Sequence, residues 1–240
     1  MTGTGRTLAD ARRWALIGTD LILEATAGLD DAGYAAPSAL PGWSRAHVAA
    51  HVAANAEALS NLVHWAATGE PTPMYASPEE RAAGIERGRA LPAAALTTWL
   101  RRSADALEAG MDRLTEGQWA HEVVTAQGRT VPATELPWMR SREVCVHAVD
   151  LATGLSFASL PADFLTALCD DVVGKRSAAA GGPAVTLTAV DTGAVWQLPG
   201  DGEPVHVTGD LSALTAYLTG RDADLRTAAG APAPTLGAWL

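Results

Sequence analysis

Glu143 and His147 are the side chains best placed to do chemistry, because they lie four residues apart in an otherwise apolar stretch with the pattern of a helix. Successive helical residues are rotated by about 100°, so positions four apart differ by only ~40° around the axis. The carboxylate and the imidazole therefore project from one face, while Cys145 faces nearly the opposite way. Helical bundles bind metal ions with such pairs from facing helices, which makes a metal site one interpretation.

A second apolar helix could complete that site, since it carries His47 and His51, again four residues apart. His51 lies deeper in the helix and is favoured, whereas His47 falls in the first turn and stays the alternative. The polar residues could instead be a strip that is hydrogen-bonded inside the core. A buried carboxylate is costly without a partner, and a divalent cation shared with two imidazoles removes that cost, which favours the metal.

The composition restricts the class of protein and its partners. The chain has 240 residues, 48% of them hydrophobic, which is enough for one large domain or for a domain with a smaller one. Its formal net charge of -10 argues against nucleic acid or an anionic membrane as a partner. We expect a cytoplasmic protein, because neither a membrane span nor a signal peptide is evident. We also expect no disulfide, because the only two cysteines lie in apolar helical patterns.

Hydrophobic periodicity predicts four long helices before residue 155. They cover residues 7–28, 44–68 with Ser44 as the N-cap, 92–114, and 133 or 134 to 154. Smaller features are a loop over residues 30–42, a short helix over 77–88 and a β-like segment over 116–134 with a hairpin around Gln127-Gly128. Long helices with short links predict an antiparallel four-helix bundle.

The second part of the chain has a different pattern. It predicts a helix over residues 161–176, strands over 184–190, 194–198 and 204–208, a helix over 210–220 capped by Asp210, and an irregular tail. We therefore expect a mainly α protein, with a four-helix bundle that carries the metal site (1–155) and a small α+β C-terminal domain (156–240).

Several stretches resemble a known family. They are WSRAHVAAH (43–51), NLVHW through PMYASPE (61–79), TAQGRTVP (125–132) and WMRSRE through HAVD (138–150), together with residues 213–221 of the last helix. In this order they look like the mycothiol-dependent maleylpyruvate isomerases, which belong to the DinB-like metal-binding superfamily. The resemblance covers most of the chain and is weakest over residues 155–204 and in the tail.

The resemblance implies a zinc site held by His51, Glu143 and His147, with positions left open for water or substrate. Many DinB-like relatives use three histidines, so the glutamate departs from them and agrees with the isomerase branch. The resemblance also implies that Arg221, from the C-terminal domain, is catalytic. Arg81 is a second candidate for substrate contact, and both arginines could bind the carboxylates of a dianionic substrate.

The implied reaction is the cis–trans isomerisation of maleylpyruvate to fumarylpyruvate in gentisate-type aromatic catabolism. A thiolate that adds to the C=C bond sends the electron pair into an enolate, allows rotation, and leaves again to restore the alkene. Cys145 faces away from the ligands and Cys169 lies outside the bundle, so a small-molecule thiol is needed, and the family uses mycothiol. Zinc could stabilise that thiolate or polarise the substrate carbonyl, and both options stay open.

Two other functions are compatible with the same residues. A zinc-dependent mycothiol S-transferase acting on another electrophile would use the same site, whereas a non-catalytic bundle would bind only a metal or a partner protein. We expect the partners to be the small-molecule substrate and the thiol cofactor, and the protein to be a monomer.

Overall fold

The computed structural model describes residues 5–179 and 181–237. Thr7–Leu155 form one compact unit, and the described residues from Ser156 onward belong to a second. Among the helices that the structure describes, none has the length and apolar character that a membrane span requires.

The first unit is built from helices. In chain order they are α1 (Leu8–Thr26), α2 (Asp31–Ala35), α3 (Arg45–Thr68), α4 (Pro78–Arg89), α5 (Ala93–Asp112), α6 (Glu116–Trp119) and α7 (Leu136–Asp150). The four long ones, α1, α3, α5 and α7, form the bundle: α1 packs against α7, and α3 packs against both α5 and α7. The predicted mainly α bundle is confirmed.

Helices α1 and α7 approach closely at a glycine. A Cβ atom at Gly18 would lie 2.6 Å from Cys145 Sγ and 2.6 Å from a methyl carbon of Val144. The absence of a side chain at Gly18 therefore lets α7 lie directly against α1. This packing turns Cys145 toward α1 and fixes which face of α7 is left for Glu143 and His147.

The structure differs from the sequence prediction in its smaller elements. The predicted loop after α1 contains α2, whose N-cap Asp30 accepts a hydrogen bond from the Gly33 amide at 2.8 Å. The predicted β-like segment begins with α6, and only its second half forms the hairpin of β1 (Glu122–Val124) and β2 (Thr130–Pro132). Helix α7 ends at Asp150 rather than at 154, because the backbone turns left-handed at Ala152 (φ 53°).

The second unit contains helices and a small sheet. Its elements are α8 (Ala162–Ala179), β3 (Pro183–Ala189), β4 (Val195–Leu198), β5 (Asp201–Gly209), α9 (Leu211–Leu218) and β6 (Arg226–Thr227). The strand order is β4-β3-β5-β6, with β3 and β5 parallel and the other pairs antiparallel. The three predicted strands are present, and β6 adds a fourth in the tail that was predicted to be irregular.

Candidate metal centre

Helix α7 presents Glu143 and His147 one turn apart, as their spacing predicts. The Glu143 Oε2 atom lies 3.4 Å from His147 Nε2. The helix buries Val144, Cys145 and Ala148 on its other faces, so the packing of α7 leaves the carboxylate and the imidazole pointing to one side.

Helix α3 brings His51 to the same place. The Nε2 atom of His51 lies 2.9 Å from Glu143 Oε2, and the imidazole rings of His51 and His147 meet edge to face with centroids 4.8 Å apart. One ligand atom from each of the three side chains lies within 4.8 Å of the others. The structure therefore brings together the three residues that the sequence proposed as ligands.

The electrostatics of the cluster suit a cation. Burial alone would raise the pKa of Glu143, but hydrogen bonds from His147 and His51 hold it well below its usual value, so the carboxylate is ionised. Burial lowers the pKa of His51 and outweighs its contact with Glu143. Two imidazole nitrogens around an anionic oxygen are the donors that divalent transition metals prefer, and small side-chain movements would let bonds of ~2.0–2.2 Å reach one ion. The Glu143 side chain keeps 24% of its surface exposed, which leaves access for a further ligand.

Asp150 is a candidate functional residue that the sequence analysis missed. Its Oδ2 atom lies 2.8 Å from His147 Nδ1, and its side chain is fully buried. Burial alone would lower the pKa of His147, but the hydrogen bonds to Asp150 and Glu143 raise it to about 9. A carboxylate on Nδ1 keeps the proton there in the neutral imidazole, which leaves Nε2 as the free donor for a metal. The signal was available, because Asp150 follows His147 by three residues, one helical turn.

His47, the alternative ligand, is used in the N-cap of α3 instead. The Ser44 amide donates to His47 Nδ1 at 3.0 Å, and the His47 ring stacks on Trp43 with centroids 5.8 Å apart. Its Nε2 atom lies 3.6 Å from Glu86 Oε1 on α4. Both ring nitrogens thus face groups outside the cluster, and His51 alone on this helix reaches Glu143.

Arg81 lies at the edge of the metal centre. Its Nη2 atom is 3.4 Å from His51 Nδ1, and its guanidinium carbon lies 5.9 Å from the centroid of the Tyr75 ring. Within the described residues, no carboxylate forms a salt bridge with Arg81. A guanidinium that no acidic side chain neutralises, one contact away from a ligand, is suitably placed to bind an anionic group.

A second arginine lies buried beside the cluster, and the sequence analysis also missed it. Arg140 precedes Glu143 by one turn, and its Nη1 donates to Val52 O at 2.8 Å and to Asn55 Oδ1 at 3.0 Å. Burial lowers its pKa to about 10, so it is still a cation at neutral pH. Arg140 and Asn55 are 85 residues apart in sequence, and local spacing carries no signal for such a pair.

Arg221 belongs to the second unit. It follows α9, after Gly220 with φ 73°, and its Nη1 donates to the Thr219 carbonyl at 2.7 Å. The guanidinium is half-buried.

Neither cysteine is placed to act as a nucleophile. Cys145 is buried with its Sγ 3.5 Å from the Trp14 carbonyl on α1, and burial raises the pKa of its thiol. Cys169 is buried in α8 beside Thr215, and burial raises its pKa to about 12. Thiols with raised pKa values stay protonated and inert at neutral pH.

Comparisons with known proteins identify the family of the chain. A family model described as the mycothiol maleylpyruvate isomerase N-terminal domain matches residues 16–152, a range that includes all three candidate ligands. Crystal structures of the mycothiol-dependent maleylpyruvate isomerase and of a histidine-to-alanine mutant of it are 37% and 36% identical to the chain. Each has a TM-score of 0.92, and each match covers 98% of this chain and 99% of that one. No curated protein matches the sequence. With its mainly α, DinB-like bundle and small α+β C-terminal part, the chain belongs to the mycothiol-dependent maleylpyruvate isomerase family.

Proposed function

We propose that this protein isomerises maleylpyruvate to fumarylpyruvate with mycothiol as cofactor, at a zinc ion bound by His51, Glu143 and His147. The observation that carries the proposal is the convergence of these three side chains within 4.8 Å. It occurs in a chain that is similar along 98% of its length to structures named for that activity. We place the reaction in gentisate-type aromatic catabolism in the cytoplasm, where the two free cysteines would stay reduced.

Two nitrogen donors and one carboxylate fit a catalytic metal better than a structural one. Structural zinc sites are closed by four protein ligands, whereas catalytic sites keep a position open for water or substrate. Three donors with a partly exposed Glu143 match the second arrangement. Zinc bound there would stabilise a thiolate or polarise a carbonyl as a Lewis acid.

The chain's own residues position the reactants. Asp150 orients His147 through its hydrogen bond to Nδ1, and Glu143 anchors both imidazoles. Arg81, beside His51, would bind one carboxylate of the dianionic substrate, and we propose Arg221 as the second, catalytic arginine. Mycothiol would supply the thiol that adds to the C=C bond and leaves again, because both protein thiols are buried and protonated.

The first experiment measures metal content and turnover in the purified protein. We expect about one zinc per chain, loss of maleylpyruvate absorbance when mycothiol is added, and no net consumption of thiol. Consumption of thiol in proportion to product would indicate the S-transferase instead. A protein without bound metal and without turnover would contradict the proposal and favour a non-catalytic bundle.

Two variants test the residue roles. His51→Ala should lose zinc, with His64→Ala as its matched control, because His64 is an exposed histidine on the same helix. A His51→Ala protein with a full metal complement would return the assignment to His47.

Arg221→Ala should keep its zinc and lose most of its turnover, and unchanged turnover would exclude its catalytic role.

A further inference from the structure

A groove lies between α3 and α4 in the first unit. Its volume is about 540 Å³, within the range of ~300–1,000 Å³ typical of small-molecule sites. The α3 wall is formed by Ala54, Glu57, Ala58 and Asn61, which share one face of the helix. The alanines leave space between the two helices, and the polar side chains line it.

The groove lies beside the metal centre, and Arg81 borders both. His51 precedes Ala54 by three residues on the same face of α3, and Arg81, which lies 3.4 Å from His51 Nδ1, also lines the groove. The ten residues from His51 to Asn61 rise by ~15 Å along the helix. A ligand that fills the groove would therefore be extended, with one end at Arg81, beside the metal centre.

The two ends of the groove differ in charge. Glu80 pairs with Arg87 at 3.1 Å, so the charges without such a pair are Arg81 at the metal end and Glu57 farther along. Trp99 Nε1 donates to Glu57 Oε1 at 2.6 Å and holds the carboxylate in place. A carboxylate accepts several hydrogen bonds, so acceptor capacity is left for hydroxyl groups. Glu57 would repel an anion and accept from hydroxyl groups, so its end of the groove suits a ligand body that carries hydroxyls and no negative charge.

We propose that this groove binds the sugar portion of mycothiol, with Glu57 accepting from its hydroxyls and the thiol reaching the metal centre. Mycothiol is a cysteine derivative linked to glucosamine and inositol, which gives it a neutral, hydroxyl-rich body and one reactive end. The inference rests on the proposed function, and it assigns the anionic substrate to the opposite end, beside Arg81.

Gly84 provides a way to fill the groove without disturbing the fold. A Cβ atom at Gly84 would meet only Arg87 Nη2, at 3.9 Å. At Gly88, by contrast, it would lie 2.5 Å from the Trp99 ring and 2.8 Å from Ala50. A larger residue at Gly84 therefore enters the space of the groove, and it also has a higher helix propensity than glycine.

The test compares Gly84→Leu with Ala82→Leu, since Ala82 is exposed on α4 and does not line the groove. Binding of N-acetylglucosaminyl-inositol, a neutral fragment of mycothiol that lacks the thiol, is measured by calorimetry on the protein as purified. Kinetics then give KM for mycothiol and for maleylpyruvate. We expect Gly84→Leu to weaken fragment binding and raise KM for mycothiol by at least about tenfold, with KM for maleylpyruvate and metal content unchanged. Ala82→Leu should behave as the wild type.

A second variant distinguishes a loss of mycothiol binding from a folding defect. Glu57→Gln keeps the shape of the side chain and should also raise KM for mycothiol while leaving the thermal midpoint unchanged. Wild-type values for both variants, or a wild-type protein that does not bind the fragment, would overturn the groove assignment while leaving the proposed function standing if turnover is present. If the wild-type protein bound the fragment but showed no turnover, and Gly84→Leu abolished that binding, the groove assignment would be supported and the proposed function refuted.

Discussion

Replacing Asp150 should weaken metal binding although Asp150 is not itself a ligand. The carboxylate is fully buried and lies 2.8 Å from His147 Nδ1, on the side of the ring opposite to Nε2. Asp150→Asn keeps an oxygen that can accept from Nδ1–H but removes the charge. Asp150→Ala removes both, so His147 loses the contact that fixes its tautomer and its orientation.

The magnitude follows from the role of such outer contacts. Removing a carboxylate that holds a metal-binding histidine typically costs ~10–100-fold in metal affinity, which corresponds to roughly 1.4–2.7 kcal/mol. Asp150→Asn keeps the hydrogen bond and should fall near the tenfold end. Asp150→Ala should fall near the hundredfold end, because the ring is also free to rotate.

The assay is competition for zinc against a chromophoric chelator, with thermal unfolding of the metal-free proteins as the check on folding. Asp105→Asn is the matched control, because Asp105 is exposed on α5. If Asp150→Ala bound zinc within about twofold of this control, the idea that Asp150 prepares His147 for a metal would be wrong.

Three other predictions test the packing and the metal. Cys145→Ala should keep turnover within about twofold in steady-state kinetics, because Sγ faces Trp14 on α1 rather than the candidate ligands. It should also lower the free energy of unfolding by roughly 1 kcal/mol. A large loss of turnover would give Cys145 a catalytic role. Gly18→Ala should lower the free energy of unfolding in urea by roughly 1–3 kcal/mol, since its Cβ would lie 2.6 Å from Cys145 Sγ. Gly174→Ala, where nothing lies within 4 Å, is the control and should be neutral or slightly stabilising. Zinc at about 100 times its Kd should stabilise the metal-free protein by roughly 2.7 kcal/mol. A thermal midpoint that does not change when zinc is added would exclude a zinc site in the folded chain.

The sequence was sufficient for the long helices and for placing the two candidate ligands on one face of α7. Both depend on periodicity: apolar residues repeat at three- and four-residue steps, and Glu143 and His147 obey the same spacing. The choice between His47 and His51 was harder, because both lie on one face of α3. They differ at the N-cap of α3, where the Ser44 amide donates a hydrogen bond to His47 Nδ1.

The missed elements had weaker or longer-range signals. Helix α6 carries a capping box, Thr115 with Gln118 three residues later, and this pattern could have identified it. Helix α2 was obscured by neighbouring glycine and proline, and it is stabilised by tertiary contacts: Tyr34 is buried and its hydroxyl lies 2.8 Å from Thr97 on α5. No local pattern encodes a contact across 63 residues.

The buried arginine explains how the bundle tolerates the charge of this site and what a metal would change. Glu143 and Asp150 contribute two negative charges and Arg140 one positive charge. With neutral imidazoles these three groups therefore leave one negative charge in a largely buried region, not counting Arg81 at its edge. Such a charge is costly away from water. In the metal-free protein, His147 carries a compensating proton because its pKa is raised. A divalent cation in place of that proton would convert the net charge to one positive, which would attract a dianionic substrate. Two neutral imidazoles with a single carboxylate ligand would therefore suit the proposed reaction better than a set of carboxylates, which would leave the site negative and repel the proposed substrate.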